Sequence, residues 1–166
     1  DQNAIKMNLL THSLGTRVGL DFLKELDAQG MKINTAVFLN PAVNNNVFNK
    51  EKSILGGRLK IEAGEFAGVE NAVNHLAVGF SNNDEVVSKY YSLGSTIFLD
   101  FNYEPGLGWK GLPLNETGEV YDNTTISDFN LEKYVPPDTK MRHSDFINRP
   151  WEEVKDVWIK QIVPML

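Results

Sequence analysis

The sequence predicts an α/β fold, a parallel sheet with flanking helices, and three observations carry that expectation. Apolar runs of strand length recur at residues 4–10, 33–39, 75–80 and 95–101. Helical periodicity separates the first two, so strand, helix and strand make a βαβ unit whose strands run parallel. The third run, His75-Leu76-Ala77-Val78-Gly79-Phe80, is nearly continuous in apolar residues, as in strands buried on both faces.

The first strand, residues 4–10, leads through Thr11-His12-Ser13 into a helix over 14–29. Val18, Phe22, Leu23 and Leu26 form its apolar side, and Gly30 is a left-handed stop. Gly15 and Gly19 lie one turn apart, and each costs about 1 kcal/mol relative to Ala. Glycines on one face predict a helix pressed closely against a sheet. The strand Ile33 to Leu39 ends at Asn40-Pro41, because Pro cannot continue a ladder.

Residues 42–70 are less regular, with loop signals at Asn44-Asn45-Asn46 and Gly56-Gly57. Phe48, Ile54, Leu55, Leu59, Ile61 and Phe66 fit either a lid over a site or a satellite of the core. The third strand breaks at Ser81-Asn82-Asn83-Asp84. A short helix, 85–92, and a fourth strand, 95–101, follow. Residues 102–142 read as a long polar excursion rich in Gly and Pro, of a length that is usually functional or partly disordered. Trp109, set among glycines there, reads more readily as a side chain pinning the loop than as a pocket wall. The last helix, 150–163, has Pro150 in its first turn and Glu152 and Glu153 at its positive end. Its apolar face is Trp151, Val154, Val157, Trp158, Ile162 and Val163. The expected organisation is one α/β domain over 1–166, with irregular insertions at about 42–70 and 102–142.

Composition narrows the function classes. The chain has 166 residues, 42% hydrophobic, enough for one sizeable core. A net charge of -6 argues against nucleic acid, whose phosphates need a basic face. No apolar run approaches the roughly 18 residues a membrane span requires. Without Cys there are neither disulfides nor thiolate metal sites, which leaves the compartment unassigned. The sequons at Asn115 and Asn123 lie in the polar loop of an Asn-rich chain, where chance produces them.

Chemistry concentrates around Ser13. A serine on a sharp strand-to-helix turn projects from the backbone, needs small neighbours, and sits by helix N–H groups that stabilise anions. The same pattern also reads as an ordinary N-cap. Of the three histidines, His12 adjoins Ser13 and should point away from it, and His75 opens a strand as a structural residue. His143, just before the last helix, is placed to return over a strand end. Asp84 follows the third strand at the carboxyl edge of the sheet, where ligands of open α/β sheets bind. Asp100, ending the fourth strand, is the runner-up acid. Asp145 is too close in sequence to His143 to orient it.

These residues resemble the α/β-hydrolase family. Its G-x-S-x-G nucleophile elbow is read here as Thr11-His12-Ser13-Leu14-Gly15, with Thr11 in place of the first Gly. The family order of nucleophile, acid and histidine is matched by Ser13, Asp84 and His143. Ser81-Asn82-Asn83-Asp84-Glu85-Val86-Val87 is similar to the family's acid-bearing loop, and the helix after His143 to its end. Outside the two insertions the resemblance covers nearly the whole chain.

The resemblance implies the C-terminal part of such a fold, from the elbow onward, without its N-terminal strands. The elbow strand would then be an open edge, completed by another chain or a cleaved N-terminal segment. It implies a serine hydrolase acting on a small ester-like substrate, a carboxylic ester or thioester. Ser13 would be the nucleophile, His143 the general base, Asp84 its orienting acid, and the Leu14 N–H an oxyanion donor. That chemistry calls for no metal or organic cofactor, and acyl transfer would use the same residues. The alternative is a non-catalytic interaction or structural subunit derived from a hydrolase fold, since fold alone does not establish activity.

Overall fold

Consecutive apolar residues at Val37-Phe38-Leu39 and Leu76-Ala77-Val78 build the two central strands of a four-stranded parallel sheet. The computed structural model describes residues 6–49, 52–54, 59–61, 64–91, 105–113 and 125–166. In chain order the elements are β1 (Asn8–His12), α1 (Gly15–Ala28), β2 (Ile33–Leu39), the antiparallel pair β3 (Lys52–Ile54) and β4 (Leu59–Ile61), and β5 (Val73–Phe80). A wide helical turn, Val86–Tyr91, precedes α2 (Leu107–Lys110) and β6 (Ile126–Asn130). The chain then forms α3 (Asp145–Asn148) and α4 (Trp151–Val157), which runs on through a wider turn to Met165. Strand order is β1-β2-β5-β6.

Side chains alternate across the sheet and divide the core in two. On one face Ala36, Phe38, Leu76 and Val78 pack with Leu20, Leu23 and Leu26 of α1. On the other, Val37, Leu39, Ala77 and Phe129 pack with Met141, Phe146, Val154, Val157 and Ile162. Each large side chain buried this way contributes about 1.5–3 kcal/mol.

Several expectations change in detail. β1 runs to His12, so Ser13 comes directly off the strand; residues 1–5 lie outside the described residues. The buried face of α1 is Thr16, Gly19, Leu20, Leu23 and Leu26, while Val18 is 71% and Phe22 38% exposed. Gly19 explains the rotation, because a Cβ there would stand 2.8 Å from Thr11 Cγ2 and the backbone can only approach at a glycine. Gly15 faces open space and makes no such contact.

The fourth strand of the described sheet is β6, inside the stretch read as an irregular excursion. The expected strand at 95–101 lies outside the described residues, as does Asp100. Polar residues disguise β6, and each is satisfied by a neighbour. Ser127 Oγ pairs with His75 Nε2 at 3.0 Å, and Asp128 Oδ2 accepts the Leu112 N–H at 2.9 Å. Burial pushes the Asp128 carboxyl above the usual carboxylate range.

Val43, Val47, Phe48 and Phe66 join the α1 side of the core, so these residues of 42–70 are packed rather than lifted as a lid. Trp109 donates from Nε1 to the Asn82 carbonyl at 3.1 Å and pins the α2 segment to the loop after β5. On the last helix Trp151 and Val163 are exposed, and Val154, Val157 and Ile162 are buried. Among the described residues no helix is long and apolar enough to cross a membrane.

Candidate active site

The parallel sheet brings the ends of β1, β2 and β5 to one edge, and three segments leaving it meet there. Ser13 leaves β1 with its backbone in the left-handed region, φ 55. A non-glycine residue pays about 1–2 kcal/mol for that conformation, which persists only where the surroundings enforce it. The Ser13 N–H completes the ladder by donating to the Leu39 carbonyl at 3.1 Å. The N-cap of α1 is Leu14, which makes no side-chain cap bond. Ser13 Oγ lies 2.7 Å from His143 Nε2.

Asp84 ends the turn after β5 and is fully buried. Its Oδ2 lies 2.7 Å from His143 Nδ1, and its Oδ1 accepts the Val87 N–H at 2.9 Å. A carboxylate only accepts, so His143 carries its proton on Nδ1 and leaves Nε2 free to accept from the Ser13 hydroxyl. Ser13, His143 and Asp84 thus form one hydrogen-bonded chain. The Leu14 N–H, next along the turn, has no hydrogen-bond partner among the described residues, and its side chain is exposed. Asp145 accepts the Arg142 N–H at 2.9 Å and pairs with Arg149, apart from the imidazole it was not expected to orient.

Two further residues at the site were not expected to contact the three. His12 packs at a tilt against His143, with ring centroids 4.8 Å apart, and edge-to-face with Phe146 at 5.1 Å. Its Nε2–H donates to the His143 carbonyl at 2.9 Å. His12 therefore steadies the loop bearing His143. Burial holds its imidazole below the ordinary 6.5, against the raising effect of that hydrogen bond.

Asn40, one step past β2, is the second. It is fully buried, has φ 45, and donates from Nδ2 to Asp84 Oδ2 at 2.8 Å. Its Oδ1 is buried without a hydrogen-bond partner among the described residues. An orphaned buried acceptor costs about 1–3 kcal/mol. The only sequence cue was Asn40-Pro41, which reads simply as a strand stop. Gly108 of α2 backs directly onto this turn: a Cβ there would fall 2.5 Å from the Asn40 carbonyl carbon. The Gly108 N–H donates to the Pro41 carbonyl at 2.9 Å, and its own carbonyl accepts the Ser81 N–H at 3.0 Å.

The loops bearing Asp84 and His143 are also joined to each other. Ser81 Oγ bonds both Glu132 Oε1, at 2.9 Å, and the Met141 carbonyl. Glu132 Oε1 in turn accepts the Asn83 N–H at 3.2 Å. A surface cleft of about 310 Å³ lined by Lys133, Tyr134, Lys155 and Lys160 shares no residue with the site. Among the described residues no group of His, Asp and Glu side chains could hold a metal ion.

A hydroxyl aligned on an imidazole that is itself held by a buried carboxylate can be deprotonated as it attacks an electrophilic carbon. No protein-family model, curated protein or solved structure matches the chain.

Proposed function

We propose that the chain is a serine hydrolase acting on a small ester-like substrate, a carboxylic ester or thioester. The observation that carries this reading is the continuous chain from Ser13 Oγ through His143 to Asp84, with both links at 2.7 Å. In this reading the fold is the part of an α/β-hydrolase from the nucleophile elbow onward. The left-handed Ser13 turn and the parallel order of β1, β2 and β5 support it.

In the first step Ser13 Oγ attacks the substrate carbonyl carbon while His143 Nε2 takes the hydroxyl proton. The carbonyl π pair moves onto oxygen, and the Leu14 N–H stabilises that oxyanion; one such donor is typically worth about 3–4 kcal/mol of barrier. Asp84 holds the imidazole in register and offsets its charge. Collapse expels the alcohol or thiol, which takes the proton back from His143. Water, activated by the same imidazole, then cleaves the acyl-enzyme and restores Ser13. An acceptor other than water in that last step would make the reaction acyl transfer.

A fluorophosphonate probe tests the assignment. Wild-type protein should label at Ser13, and Ser13→Ala should abolish labelling. Labelling that survives in Ser13→Ala removes Ser13 as nucleophile. A folded wild-type protein that never labels favours the non-catalytic subunit.

The same reading places a further strand, from another chain or an N-terminal segment, against β1. Among the described strands β1 is an edge, and exposed apolar residues occur on it and on the helix that follows: Leu10 (42%) in β1, Met7 (47%) just before it, and Val18 (71%) and Phe22 (38%) on α1. Open apolar edges are rarely left bare. The chain alone should therefore self-associate in sedimentation and exchange its β1 amides quickly. A folded monomer with protected β1 amides rules the extra strand out.

A further inference from the structure

We propose that Asn40 is a positioning residue of this site, whose amide fixes the carboxylate oxygen of Asp84 that orients His143. The inference rests on the serine-hydrolase reading and deepens it.

Asn40 carries two penalties at once. Its backbone is held at φ 45, and its Oδ1 is buried with no hydrogen-bond partner among the described residues. A glycine would relieve both. Such costs in a fully buried residue persist where a specific contact compensates them. The contact here is the bond from Nδ2 to Asp84 Oδ2, at 2.8 Å.

That oxygen is the one 2.7 Å from His143 Nδ1, while Val87 N–H holds the other at 2.9 Å. The carboxylate is thus gripped at both ends by donors of the protein frame. Without Asn40, Oδ2 keeps only the imidazole it is meant to orient, and the carboxylate is free to pivot about its bond to Val87. Asn40 is itself rigidly aimed, since its N–H donates to the Gly79 carbonyl at 2.8 Å and Gly108 closes against its backbone. Its side chain acts on Ser13 only through Asp84 and His143. It completes a relay of four groups, Ser13, His143, Asp84 and Asn40.

The test is Asn40→Gly in the full chain, because glycine accepts the backbone angle and removes only the amide. Three quantities are read: hydrolysis of p-nitrophenyl acetate, thermal unfolding, and the low-field proton resonance of His143 Nδ1–H. The expected result is a kcat lowered about 10- to 100-fold, as for a misplaced catalytic group, with KM within about twofold. The unfolding temperature should hold or rise, and the His143 resonance should move. Wild-type kcat together with an unmoved resonance overturns the proposal. So does a kcat loss that merely tracks the unfolded fraction. If wild-type protein turns over no ester, the hydrolase reading falls. The resonance then decides alone: a shift in Asn40→Gly upholds the grip on Asp84, and no shift overturns it.

Discussion

β1 and β2 are neighbours in register, His12 beside Leu39, and each ends in the same backbone device. The next residue donates one more ladder bond, Ser13 to Leu39 and Asn40 to Gly79, and then enters the left-handed region at φ 55 and φ 45. The side chains part company. Ser13 stays half-exposed and offers its hydroxyl to His143, whereas Asn40 is wholly buried and gives its amide to Asp84. One turn geometry, repeated on adjacent strands, thus supplies both ends of a single hydrogen-bonded chain. Both residues pay for positive φ, Asn less than Ser. The strain at Ser13 is therefore less relieved by residue type, and more of it must be held by the surrounding bonds.

The largest effect that breaks this comparison is at Ser13. Both Ser13→Gly and Ser13→Ala should lose all fluorophosphonate labelling, but Ser13→Gly should be more stable than Ser13→Ala by about 1 kcal/mol. Denaturant midpoints at constant slope measure it. Equal stabilities would mean the turn is unstrained.

A smaller effect sharpens the comparison from below the site. His12 is held below its ordinary 6.5, so the unfolded chain takes up its proton first as pH falls. The unfolded state then binds more protons, and stability drops as pH falls through the ordinary histidine range, with full stability above it. His12→Gln keeps a donor near the His143 carbonyl and removes the titration. Its stability should lose that part of the pH slope, as followed by urea unfolding at several pH values. An unchanged slope would mean that His12 does not titrate differently in the two states.

The βαβ unit and the third strand were legible because apolar runs and helical periodicity are local signals. The spacing of Ser13, Asp84 and His143 was legible because a parallel sheet sends successive strand ends to one edge. The rest depended on packing. The helix α1 turns its Thr16, Gly19, Leu20 and Leu23 inward because of the space Gly19 leaves, which no periodicity count registers. β6 hid behind Ser127 and Asp128, whose polarity is cancelled by partners distant in sequence. Asn40 looked like a strand terminator, because its amide matters only once Asp84 is folded against it. His12 meets the His143 imidazole by ring packing and Ser13 meets it by a hydrogen bond, a convergence no local signal announces.

Gly108 gives the site an unexpected dependence. It belongs to a short segment far along the chain from Ser13 and has no side chain to offer any reaction. Yet its α-carbon is the wall behind the Asn40 turn, with 2.5 Å between a hypothetical methyl and the backbone. Sequence drift at this position is therefore closed off as firmly as at a reacting group. A survey of tolerated substitutions would set Gly108 beside the site residues, although what it supplies is vacant space.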